Sequence, residues 1–220
     1  MSALIERTMD KAVDRSLGLV ELGKDAPDFS GEAYFKGKFE KLSKASFEGK
    51  YLTLVFYPLD FSFVCPTELL AFNELVPAFD AAGCKLLGCS VDSVHAHKQW
   101  TSVPPALGGI GELDFPLLSD LSHTIARAYN ALCTHGQHEG VSYRATFIID
   151  GKGVLRHMSY QDFTAGRSAE ETLRLVQALR YADENGEVCP AKWKRAGDPT
   201  LVGDHNAQKT REYFAKAAPQ

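Results

Sequence analysis

Apolar positions along this chain follow two rhythms, and the rhythms alternate. Tyr51-Leu-Thr-Leu-Val-Phe-Tyr57 is a continuous apolar, β-branched and aromatic run. Such a run marks a strand covered on both faces, as in a parallel sheet, and Pro58 stops it. Beyond a loop, Pro66 stands where a first helical residue would, and Glu68 lies in the first turn. Both are helix-start signals. Leu69, Phe72, Val76 and Phe79 then recur at spacings of one helical face, and Gly83 ends the helix they predict. Cys84-Lys-Leu-Leu-Gly-Cys-Ser-Val-Asp92 reads as a second strand. A helix over 95–100, a loop over 104–111, a short strand over 115–118 and a helix over 122–132 come next. Arg144-Ala-Thr-Phe-Ile-Ile-Asp150 and Val154-Leu-Arg-His-Met-Ser159 flank Asp150-Gly-Lys-Gly153, a hairpin with turn-forming residues between its strands. Ser168-Ala-Glu-Glu171 is a capping box, and Thr172, Leu175, Val176 and Leu179 stripe the helix behind it.

At either end the rhythm fades. Residues 1–23 are mixed in charge and predict a short helix or an arm, and Pro27 and Gly31 punctuate the stretch after it. From Asn185 onward Gly186, Pro190, Gly197, Pro199 and Gly203 break the chain into an extended arm, with one last short helix over 209–217. The order is β-α-β, further β/α, then a β-hairpin and a helix. It predicts an α/β fold of thioredoxin-like type, a central mixed β-sheet flanked by helices. Residues 1–185 would form that domain with its N-terminal extension, and 186–220 the C-terminal arm. Repeats and low-complexity tracts are absent.

Composition narrows the function. The chain has 220 residues, 45% hydrophobic and 24% charged, with a formal net charge of −4. That is a globular balance, and scattered Lys and Arg on an acidic chain argue against nucleic acid as a partner. Apolar runs fall short of the roughly 18 residues that span a membrane. The N-terminus resembles neither a secretory signal nor a transit peptide. A reducing, cytoplasmic setting is the expectation, and there a cysteine is kept for reactivity or packing more than for a structural bridge.

Of the five cysteines, Cys65 has the setting of a reactive one. It stands at a strand–loop–helix junction, where unpaired N–H groups and a positive partial charge favour a thiolate. A buried small hydrophobe is the other reading, and local pattern leaves both open. Cys84 and Cys89, five apart on one strand, point to opposite faces and read as packing residues, as does Cys133. His95-x-His97 and His135-x-x-His138 lack a third ligand at zinc spacing, and no Cys-x-x-Cys occurs. Gly108-Gly-Ile-Gly111 does not follow a strand and open a helix, so it is no dinucleotide loop.

The longer segment Tyr57-Pro-Leu-Asp-Phe-Ser-Phe-Val-Cys-Pro-Thr-Glu68 resembles the active-site signature of the peroxiredoxins: Pro58, Ser62 and Cys65 match their Pro-x-x-x-Thr/Ser-x-x-Cys pattern. Ser62 stands where most relatives have threonine, which keeps the hydroxyl. Gly186-Glu-Val-Cys-Pro-Ala-Lys-Trp193 is similar to the segment that carries the resolving cysteine of typical two-cysteine members. Tyr143-Arg144, Val154-Leu-Arg156 and Gly166-Arg167-Ser168 also fit, so the resemblance runs from about residue 22 to about 216.

The resemblance implies a peroxidase for hydrogen peroxide and alkyl hydroperoxides, with no haem, flavin, selenium or metal cofactor. Cys65 would be the nucleophile, Arg144 would supply positive charge, and Ser62 with the Cys65 N–H would hold the peroxide oxygens. Pro58 would wall the pocket, and Glu68 would brace Arg144 and Arg167. Cys65 would pass through a sulfenic acid and close a disulfide with Cys189 of a neighbouring subunit. A thioredoxin-like protein or a flavoprotein would reduce it. A homodimer, assembled as a decamer of five dimers, and a secondary chaperone-like activity of that oligomer are further implications. A thioredoxin-type disulfide oxidoreductase fits less well, because Cys65 has no Cys-x-x-Cys partner. Gly108-Gly-Ile-Gly111 and Tyr213-Phe214 resemble segments of members sensitive to over-oxidation.

Overall fold

The computed structural model describes residues 20–204 and 207–217. The arm or helix expected before residue 20 lies outside the described residues. Among the described residues seven strands make one sheet: β1 (Ser30–Phe35), β2 (Lys38–Ser43), β3 (Tyr51–Phe56), β4 (Cys84–Ser90), β5 (Leu117–Ser119), β6 (Arg144–Ile149) and β7 (Leu155–Gln161). Their order is β2-β1-β5-β4-β3-β6-β7. β3, β4 and β5 are parallel neighbours, and the remaining pairings are antiparallel. This is the central mixed sheet of the expected thioredoxin-like α/β fold.

Every residue of β3 and β6 is buried, which is why both read as unbroken apolar runs. The strand period then splits them between two cores. Leu52, Leu54 and Phe56 face one core with Phe147 and Ile149. Tyr51, Val55 and Tyr57 face the other with Ile148. Cys84 and Cys89 divide in the same way, one to each core, as their odd spacing predicts.

Among the described residues six α-helices pack on or beyond the sheet: α1 (Cys65–Glu74), α2 (Val76–Ala81), α3 (Val94–Thr101), α4 (Thr124–Ala128), α5 (Ala169–Asn185) and α6 (Gln208–Ala217). The single helix expected up to Gly83 is two, broken at Leu75, because Pro77 enters the first turn of α2 and cannot continue the hydrogen-bond ladder. α4 covers only part of 122–132: Asn130 turns left-handed at φ 52°, and the chain leaves the helix before it. The short strand begins at Leu117, two residues later than expected, since Pro116 has no N–H to pair.

The hairpin β1–β2 went unread. β2 is solvent-facing over most of its length, and its charged residues hide the alternation. Ser168 does cap α5, accepting from Glu171 N at 3.0 Å, and Gly186 ends it at φ 66°. Among the described residues no helix is long and apolar enough to cross a membrane.

Candidate active site

Cys65 is the first residue of α1, with Val64 at the N-cap. Thr67 N and Glu68 N donate to Val64 O at 3.1 and 3.3 Å, so the first turn is closed directly over the loop from β3. The Cys65 side chain is fully buried. Its sulfur therefore sits at the positive end of a ten-residue helix.

The cation beside it comes from the neighbouring strand. Arg144 opens β6, and its Nη1 donates to Cys65 Sγ at 3.3 Å and to Glu68 Oε2 at 2.7 Å. Its Nε and Nη2 donate to Phe163 O at 3.1 and 2.9 Å. Arg167, from the loop before α5, grips the same carboxylate: its backbone N and Nε both donate to Glu68 Oε1 at 2.8 Å, and Nη2 donates to Oε2 at 3.1 Å. Arg167 Nη1 goes on to Ala145 O and Thr146 Oγ1. Glu68, Arg144 and Arg167 are all buried. Burial pushes the Glu68 carboxyl up, but the hydrogen bonds and charge of Arg167, with Arg144 beside it, more than offset this. The net direction is downward, so Glu68 is an anion bridging two guanidiniums. The rigid fork of Arg144 thereby has one fixed direction, toward the sulfur.

The structure thus brings Cys65, Glu68, Arg144 and Arg167 together. Pro58 is buried at the end of β3. Ser62 lies partly exposed in the loop and donates its hydroxyl proton to Leu59 O at 2.8 Å, which leaves the oxygen free to accept. Cys189 is not in this cluster. It lies on the arm beyond α5 and is partly exposed, with its thiol donating to Ala178 O at 3.6 Å. Burial raises its pKa above the ordinary cysteine value, opposed by Arg174 and aided by Glu187. Cys84 is pushed up to about 12 by burial, and Cys89 is also raised by burial; both thiols are inert packing groups.

Two participants escaped the sequence reading. Phe163 contributes a backbone carbonyl, which no residue type announces. Thr146 was legible in principle, since it lies two residues from Arg144 on one face of a strand. Of the histidines considered for metal, His97 is buried against Asp60 and Leu118 O, and His138 stacks on Phe163 at 4.1 Å.

Residues 22–158 match the model of the AhpC/TSA family, and residues 178–216 match that of the C-terminal domain of 1-Cys peroxiredoxin. The chain is 46% identical to peroxiredoxin-2 of Rattus norvegicus over 199 residues, covering 90% of this chain and 98% of the relative. It is 47% identical to peroxiredoxin 2 of Drosophila melanogaster over 194 residues, or 88% and 97% of the two chains. Among solved structures it is similar to the reduced 2-Cys peroxiredoxin of Plasmodium vivax, with a TM-score of 0.82 at 38% identity over 88% of this chain and 98% of that one. AhpC of Enterococcus faecalis gives a TM-score of 0.71 at 33% identity over 78% and 100%.

Proposed function

The chain belongs to the AhpC/TSA family and is a thiol-dependent peroxidase; from that premise we propose how its residues divide the work. The Cys65 thiolate attacks one peroxide oxygen, the O–O bond breaks, and the second oxygen leaves as hydroxide or alkoxide and takes up a proton. Charge moves from sulfur along the O–O axis during the step, so fixed donors along that axis lower the barrier most. The observation that carries this reading is the 3.3 Å contact from Arg144 Nη1 to Cys65 Sγ, held by a buried carboxylate. Ser62 Oγ accepts from the peroxide O–H, Pro58 walls out water, and Glu68 with Arg167 holds the Arg144 fork in place.

Cys65 is left as a sulfenic acid. The Cys189 thiol of a neighbouring subunit condenses with it, forming the S–S bond and releasing water. Within one chain the two sulfurs sit in separate settings, one under α1 and one beside α5. A disulfide needs Cα atoms within about 4.4–6.8 Å, so residues 61–69 unwind and the arm is released. A raised Cys189 pKa fits an arm that is quiescent while packed. An external dithiol of thioredoxin type, or a flavoprotein, then reduces the bridge, and the cycle suits a reducing cytoplasm.

Two surfaces support an assembly. β7 is an edge strand, able to pair with a second copy. Around the active-site loop Phe61, Phe63 and Leu107 stand 53%, 94% and 77% exposed, an apolar face suited to contacts between dimers in a decamer.

One equivalent of hydrogen peroxide and then a non-reducing gel test the cycle. Wild type is expected to run as a covalent dimer, and Cys65→Ser and Cys189→Ser as monomers. An oxidised wild type that stays at monomer mass sinks the intersubunit disulfide. If α6 with Tyr213 and Phe214 covers a partner's site, unwinding slows and a second peroxide can oxidise the sulfenic acid to sulfinic acid. Mass spectrometry across a peroxide series is then expected to show sulfinic Cys65; a mass that stops at the disulfide excludes it.

A further inference from the structure

The loop that carries Cys65 is pinned at one end by a buried polar cluster that the peroxidase chemistry does not use. Asp60 lies between Pro58 and Phe61, and its carboxylate is buried together with His97 of α3. Asp60 Oδ2 faces His97 Nδ1 at 2.8 Å, and Oδ1 accepts from Tyr57 Oη at 2.8 Å. Asp60 N donates to Asp92 Oδ2, which also accepts from Ser90 Oγ. His97 Nε2 faces Leu118 O at 3.3 Å. A carbonyl only accepts, so Nε2 carries a proton, and one further proton must lie between Nδ1 and Oδ2. The pair is neutral as a unit and satisfied on every side, which is what makes such burial tolerable.

The adjoining residue changes character. Phe61 takes a left-handed φ of 55°, a strained conformation for a bulky side chain. Its ring lies on Trp100 at 5.9 Å, one turn along α3 from His97. α3 therefore holds two consecutive loop residues, Asp60 through a shared proton and Phe61 through a ring contact. Beyond them Phe63 is almost wholly exposed, so the restraint ends there.

We propose that Asp60 and His97 are positioning residues that pin the stationary end of the active-site segment, and that the strength of this pin sets how readily residues 61–69 unwind. The proposal rests on the unwinding cycle proposed above and names what governs it. Strain at Phe61 is held in by Asp60 before it and by its own ring on Trp100. Loosening the clamp shifts the segment from the folded form, which reacts with peroxide, toward the unwound form, which reaches Cys189.

The test uses the full chain, His97→Leu and the double variant Asp60→Ala/His97→Leu. A single loss leaves Asp60 buried without its partner, whereas removing both ends leaves no orphaned charge. Hydrogen exchange read by mass spectrometry is expected to quicken about tenfold in 61–69 of His97→Leu, with β4 and α3 unchanged, and to stay quickened by about tenfold in the double variant, where the clamp is gone but no carboxylate is orphaned. In the same His97→Leu protein Cys65 oxidation by hydrogen peroxide should slow, while formation of the Cys65–Cys189 disulfide should quicken. Unchanged exchange in 61–69, equal quickening across β4 and α3, or a double variant that returns to the wild-type rate overturns the clamp. A wild type that never forms the disulfide overturns the role of Cys189 instead, and the exchange data then judge the clamp by themselves.

Discussion

Glu68 is the residue on which the site's electrostatics turn. Without it, Arg144 and Arg167 would face one another as like charges in a buried space. Glu68→Gln keeps the shape and removes the charge. The expected loss of stability at neutral pH is about 3–5 kcal/mol, the usual result of breaking one side of a buried ion pair; urea denaturation measures it. The lowered Glu68 pKa sets the sign of the pH dependence. Its contribution is present above the ordinary carboxylate value of 4.5 and is lost as pH falls through the lower folded value. Wild-type stability should therefore fall more steeply on acidification than that of Glu68→Gln. Equal slopes would remove Glu68 from the account. For single residues the members of the cluster were readable in advance: Cys65, Glu68, Arg144 and Arg167 are all marked by type and motif, and the structure brings them together. What no side-chain list conveys is that Phe163 O turns the Arg144 fork, since a carbonyl is common to all residues.

Among the elements, the loop after α3 shows how a motif and its geometry meet. Trp100 Nε1 donates to Gly108 O at 3.2 Å, and Ile110 is buried in the core beside Cys65 and Phe72. Gly109 passes so close to the backbone that a Cβ there would lie 2.0 Å from Val103 O. Gly109→Ala must displace backbone, and a loss of about 2 kcal/mol or more is expected, by the route of overpacking and strain; thermal unfolding checks it. Gly108→Ala is a different case, with open space around the Cβ and only the penalty of φ 82°. Helix starts were legible because caps and first-turn residues act locally, as at Ser168. Helix ends inside 66–83 and 122–132 were misjudged. Apolar spacing persists through Leu75 and Asn130, while Pro77 and a left-handed turn decide where hydrogen bonding stops. The β1–β2 hairpin was missed because β2 has little buried face to leave a period in the sequence.

Taken as a whole molecule, the acidic chain ends in an arm that lies across α5 rather than over its own Cys65. Arg174 Nη1 donates to Trp193 O, Val188 pairs with Leu201, and Thr210 bonds Val202. That arrangement, with exposed aromatics around the active-site loop, is why the cycle is assigned to an assembly and not to one chain. Phe63→Glu places a charge at the most exposed of these rings. Sedimentation velocity is expected to show the proposed decamer lost in favour of dimers, with the covalent dimer still forming on oxidation. Decamers that survive the substitution would move the inter-dimer contact elsewhere.

Residue order alone was enough for the strands with two covered faces, the capped helices, the placement of Cys65 at a helix N-terminus, and the family to which these residues belong. These are properties of neighbours in the chain, and nearest-neighbour chemistry suffices to read them. Folding in three dimensions was needed to set one carboxylate between two arginines drawn from a strand and a loop far along the chain, and to pack Cys189 apart from Cys65. Only there, too, does α3 take hold of the active-site loop through Asp60. Each depends on which segments the sheet brings side by side: β6 lies antiparallel to β3 across a sequence separation that carries no local signal.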